Sequence, residues 1–165
     1  MDDTYASTFE SKGWSVHSWP YANQDAVVLH REPFRLAWFA TQLVTFVYII
    51  RRTPDDYQSI LADYSALRKF AGDNKRTLLP FAFQCGYAIL PIYVGQSFSE
   101  SLVADIRSTY KKRWCVFYAP SLLESDTGHL HRLEAKSFWG CVYRKFISET
   151  VADVAGTLAA ARNVA

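Results

Sequence analysis

The stretch from Leu78 to Pro120 constrains the fold more than any other part of this chain. It reads LLPFAFQCGYAILPIYVG, then QSFSESLVADIRSTYKKR, then WCVFYAP. Two apolar runs rich in β-branched and aromatic residues flank a segment of helical period. That is the pattern of a βαβ unit, whose strands are buried on both faces and need not alternate. Ser97 and Glu100 have the spacing of a capping box, and Leu102, Val103, Ile106 and Tyr110 fall on one helical face. Lys111, Lys112 and Arg113 follow where positive charge favours the carbonyl end of a helix.

Upstream, the first thirteen residues show little periodicity and read as a loose N-terminal arm. Trp14 to Trp19 is short, aromatic and ends at Pro20, which suggests an edge strand; Ala26 to His30 reads as a second. Phe34 to Ile50 is long for one strand, so two strands in an antiparallel meander are expected. Thr53 as N-cap, Pro54 at the first helical position and Asp55-Asp56 after it predict a helix. Its apolar stripe is Tyr57, Ile60, Leu61, Tyr64, Leu67 and Phe70, with Gly72 as the stop.

Downstream of Pro120, Asp126-Thr127-Gly128 has turn chemistry between two strand-like runs and predicts a hairpin. Residues 138–155 have helical spacing, and the alanine-rich tail 156–165 is expected either to extend that helix or to fray. The fold expected is one α/β domain over residues 1–165 with a mixed sheet and about three main helices. An N-terminal antiparallel meander leads into the βαβ unit, a hairpin and a C-terminal helix.

Several chemistries find no support. A formal charge of +2 is too small to imply nucleic acid, and the charged residues are dispersed. Cys85, Cys115 and Cys141 form no C-x-x-C pair and sit in apolar settings, as buried free thiols do. Neither a phosphate-cradling glycine motif nor a G-x-S-x-G or H-E-x-x-H string is present. The first 25 residues carry no basic region leading into an apolar one, and the apolar stretch Leu36 to Ile50 falls short of a membrane span. A cytoplasmic protein without membrane contact is expected.

Two functional readings remain. Trp14, Trp19 and Tyr21 do not fall easily on a core face and form a candidate interface, since such aromatics are enriched where proteins meet. They support a non-catalytic protein-binding module (an inhibitor, an immunity protein or a small assembly subunit) with a protein partner or a homodimer, and no cofactor. The other reading starts from Asp126 and Glu134-Ala135-Lys136. An acid, a gap and E-x-K resembles the active-site pattern of the PD-(D/E)xK nucleases, although Ser125 stands where that pattern has proline. The resemblance implies that Asp126 and Glu134 bind Mg²⁺, that Lys136 helps orient the attacking water, and that nucleic acid is the substrate. His129 and His131 share a strand face and could begin a metal site, with Glu124 as a third ligand if the register allows. A pocket at the carboxyl ends of the central strands is a further possibility by analogy with other α/β folds.

Overall fold

The computed structural model describes residues 3–21, 24–35, 41–78, 85–109, 115–134 and 141–162. Within them the order is α1 (Asp3–Ser11), β1 (Ser15–Tyr21), β2 (Gln24–Arg31), β3 (Phe34–Arg35), β4 (Thr41–Ile50), α2 (Tyr57–Asn74), β5 (Cys85–Gly95), α3 (Glu100–Ser108), β6 (Val116–Tyr118), β7 (Ser121–Glu124), β8 (Leu130–His131) and α4 (Cys141–Arg162). The strands form one mixed sheet in the order β1-β2-β4-β5-β7-β8. β1, β2 and β4 are successively antiparallel, β4, β5 and β7 run parallel, and β8 turns back as a hairpin. The expected meander, βαβ unit, hairpin and closing helix are therefore all present.

Prolines explain where strands break. β3 continues β2 along the same side of β4, interrupted at Glu32-Pro33. β6 and β7 likewise follow one another along β5, interrupted at Ala119-Pro120. Pro91 lies in the middle of β5, where a residue without an N–H would ordinarily weaken a central ladder. Odd-numbered residues of β5 point their backbone groups at β6, as Tyr87 N–H does to the Cys115 carbonyl (3.0 Å). The register places Pro91 opposite the β6–β7 break, so its missing donor falls in the gap between the two paired runs rather than inside either.

Alternation along β4 and β5 sorts the core into two layers. Val44, Phe46, Tyr48, Tyr87, Ile89 and Tyr93 pack with Ile60 and Leu67 of α2 and Leu102 and Ile106 of α3. Leu43, Val47, Ile49, Ala88, Leu90 and Ile92 pack on the other face with Phe9 of α1 and Phe146, Val151 and Val154 of α4. The central strands are buried on both sides because helices cover both.

Several helix boundaries and one whole helix differ from the expectation. Residues 3–11 are not a loose arm but α1, which adds a helix to the three expected. Its C-terminus is a Schellman closure: Gly13 N–H reaches the Glu10 carbonyl (2.9 Å), Trp14 N–H reaches the Phe9 carbonyl (3.1 Å), and Gly13 takes φ +80°. Phe9 and Trp14 then share the α4-side core, the apolar contact that accompanies this motif. Lys12 ties the same turn to α4 through Asp153 Oδ1 and Thr157 Oγ1, both at 2.8 Å.

The cap of α2 is Asp56, whose Oδ1 accepts from Ser59 N–H (2.7 Å), not Thr53. Gly72 keeps helical backbone, and α2 runs on to Asn74. α3 is capped by Ser99 rather than Ser97, with Leu102 N–H donating to Ser99 Oγ (3.3 Å). α4 spans Cys141–Arg162 among the described residues, so the helix extends through the alanine-rich tail to Arg162, as the high helix propensity of alanine favours. Lys111 to Arg113 lie outside the described residues.

Phe9 is fully buried, so Phe9→Ala should cost about 3–5 kcal/mol of unfolding free energy in urea titration. A loss below about 0.5 kcal/mol, as at a surface position, would return these residues to the status of an arm.

Candidate functional site

Because β4, β5 and β7 are parallel, their carboxyl ends Ile50, Gly95 and Glu124 meet at one edge of the sheet. A crevice of about 670 Å³ opens there. Its apolar walls are Ile49, Val94 and Leu123 from the sheet and Leu158 and Ala159 from α4. Its polar rim is Arg51, Arg52 and Thr53 after β4, Gln96 and Ser97 after β5, and Glu124 and Ser125 at the hairpin. Gly95 is required by close approach: a Cβ there would stand 2.5 Å from Thr53 Oγ1 and 3.2 Å from the Phe98 ring. The segment after β4 thus crosses directly over the end of β5.

Behind the rim, on the α2 side, lies a buried carboxylate. Asp63 accepts from Tyr21 of β1 through Oδ1 (2.6 Å) and from Tyr93 of β5 through Oδ2 (2.5 Å). Arg52 Nη2 donates to the same Oδ2 at 2.5 Å, and its guanidinium lies 5.6 Å from the Tyr93 ring centre. Asp63 is 6% exposed, so this partner set is what allows a charge to sit there. Asp63 occupies the apolar stripe of α2 between Ile60 and Leu67, and that misplaced charge was the available sequence signal. Burial, then the bond to Asp63, raises the Tyr21 phenol above its ordinary value. Burial likewise raises Tyr93, Tyr48 and Tyr118. Tyr48 donates to the Leu67 carbonyl (2.8 Å) and Tyr118 to the Ile60 carbonyl (2.6 Å), so both fasten α2 to the sheet.

On the hairpin side, His131 Nε2 lies 2.9 Å from Glu124 Oε1, and Arg107 Nη2 lies 3.3 Å from His131 Nδ1. Arginine can only donate, so Nδ1 accepts and the proton facing Glu124 is on Nε2. Thr127 Oγ1 donates to Glu124 Oε2 at 2.7 Å. The His131 hydrogen bond, followed by that of Thr127, holds the Glu124 carboxyl below the usual carboxylate range.

These placements sort the residues singled out from sequence. Trp19 and Tyr21 come together, stacked with ring centres 4.6 Å apart and packed against Phe70 of α2. Trp14 does not join them. It is 4% exposed in the α4-side core, with the Arg31 guanidinium 4.0 Å from its ring centre, because it lies on the opposite face from the odd-numbered residues of β1. The expected three-residue interface is reduced to Trp19 and Tyr21, both half-buried.

Asp126 lies exposed in the hairpin turn. Glu134 lies beyond β8 rather than on a strand, exposed, with Oε1 3.4 Å from Arg107 Nε. Lys136 falls outside the described residues. The two histidine rings of the hairpin lie 4.4 Å apart, but both ring nitrogens of His131 are engaged by Glu124 and Arg107. No group of three or more His, Cys, Asp or Glu that could hold a metal ion occurs among the described residues. Burial raises the Cys85 and Cys115 thiols, which favours the unreactive neutral form. Nor is any helix among the described residues long and apolar enough to cross a membrane.

Compared with known protein families, curated proteins and solved structures, the chain finds no match. The geometry of the site therefore carries the functional argument alone.

The buried phenols set the alkaline behaviour. A raised folded-state value stabilises the fold fully below pH 10.0, the ordinary tyrosine value. That contribution is lost as pH rises past it, because the unfolded chain ionises first. Urea titrations from about pH 9 to 11 should show stability falling steeply, with phenolate absorbance completing only on unfolding. Full ionisation of all ten tyrosines in a chain that stays folded would contradict this assignment.

Proposed function

We propose that the protein is a non-catalytic binding module whose recognition site is the crevice at the carboxyl ends of β4, β5 and β7, and that it takes an anionic group there. The observation that carries this reading is the contrast between two adjacent arginines. Arg52 is committed to Asp63. Arg51 lines the same crevice, is exposed, and has no ion pair among the described residues. A guanidinium presents five donors in a planar fork that suits a carboxylate or a phosphate.

The surroundings support that role. Thr53, Gln96, Ser97 and Ser125 place hydroxyl and amide groups around the rim. The volume lies within the roughly 300–1,000 Å³ of ordinary ligand pockets. Crevices outside the carboxyl ends of parallel strands are where α/β sheets commonly bind ligands, and the loops there are free to vary without disturbing the core. The Asp63 cluster fixes Arg52 and the end of β4, so the rim is organised before a ligand arrives.

Arg51→Ala should weaken binding of a carboxylate probe by about tenfold or more, the worth of a hydrogen bond to a charged group. Lys69→Ala, on the exposed side of α2, should leave it unchanged. Titration of both variants followed by amide NMR shifts makes the comparison. Equal affinity in Arg51→Ala and the parent would overturn the reading.

A further inference from the structure

We infer that the occupant of this crevice is an amphipathic monoanion, with one carboxylate or phosphodiester head at Arg51 and an apolar body lying between the sheet and α4. The inference rests on the binding reading above and adds the class of ligand. Charge is the first argument. Arg52 is neutralised by Asp63, and Glu124 puts a negative charge on the opposite rim. Among the described residues Arg51 is left as the rim's uncommitted cation, enough for one negative charge. A ligand with two or three further charges, such as a nucleoside triphosphate, would meet Glu124 without a counter-charge. The rim also lacks the glycine-rich turn that cradles a phosphate chain.

The walls supply the second argument. The polar groups lie on the segments that leave the strand ends, whereas Ile49, Val94, Leu123, Leu158 and Ala159 line the space beneath them. Ile49 and Leu123 belong to the α4-side core, and Val94 and Leu158 pack against it while remaining partly accessible. A free inorganic anion would leave these walls in contact with water. An apolar body attached to the head would cover them, and each buried methylene should strengthen binding about fourfold.

The test is calorimetric titration of the full chain with straight-chain carboxylates from acetate upward, kept below their micelle concentrations. Alkyl methyl phosphates, which carry a single negative charge, and the uncharged alcohols of the same lengths complete the series. Affinity should rise about fourfold per methylene and then level off once the chain outgrows the crevice. The alcohols should bind at least tenfold more weakly, and Arg51→Gln should abolish that difference. The two head groups show whether carboxylate or phosphate is preferred. Ala159→Leu narrows the apolar end and should bring the plateau at a shorter chain.

Long acids that bind no better than acetate or inorganic phosphate would overturn the amphipathic ligand while leaving an anion crevice intact. A nucleoside triphosphate that binds more tightly than any acid would do the same. No binding of any anion would overturn both readings. An unchanged plateau in Ala159→Leu, with the parent series rising as expected, would move the apolar body away from α4 and contradict the inference.

Discussion

The parallel ladder between β4 and β5 is the interaction on which the rest of this structure depends. Nine residue pairs, from Gln42 with Cys85 to Ile50 with Tyr93, join two strands that are apolar on both faces. Such a pair cannot stand with either face in water. α2 and α3 must cover one side and α1 and α4 the other, which accounts for two core layers, the first rich in tyrosine and the second largely aliphatic. The same ladder brings the strand ends to one edge of the sheet, with β7 added in the same direction. A crevice at that edge follows from topology. Which side chains line it follows from the few residues after each strand.

The second organising interaction is electrostatic. Asp63 is a charged side chain set into the apolar stripe of α2, and it survives there because β1, β5 and the end of β4 each send it a donor. Removing one partner of such a buried cluster is costly, because the remaining groups stay out of water without their bonds. Its effect is to hold three separate parts of the sheet against one helix. It also separates the roles of neighbouring arginines: Arg52 becomes part of the framework, while Arg51 remains available at the rim.

Much of the architecture was legible from local pattern, and what was not has identifiable causes. The βαβ centre, the break inside Phe34 to Ile50 and the turn at Asp126 to Gly128 all rest on strong signals of period, strand length and turn chemistry. α1 was missed because nine residues of mixed character make a poor periodic signal. The stronger clue was Phe9 followed by Gly13-Trp14, the spacing of a Schellman closure. The helix caps slipped by two or three residues because several Ser, Thr and Asp residues precede each helix, and only geometry selects among them.

At the site, sequence pattern did not single out the crevice's lining as a functional set, and the carboxyl-end pocket entered only by analogy with other α/β folds. Trp14 and Trp19 were grouped by proximity along the chain, whereas residues an odd number apart on an extended segment face opposite layers. Asp63 was invisible to a search for paired acids, because its partners are tyrosines from two strands and an arginine from the segment after a third. Glu134 fits a motif along the chain, but in space its carboxylate faces Arg107. The measurement that bears most directly on this account is amide NMR shift mapping of the full chain during titration with a medium-chain carboxylate. The account predicts shifts concentrated at Arg51, Thr53, Gln96, Ser97 and Leu158, with the β1 edge unmoved. Shifts centred on Trp19 and Tyr21, or at the hairpin turn around Asp126, would contradict it and relocate the functional surface.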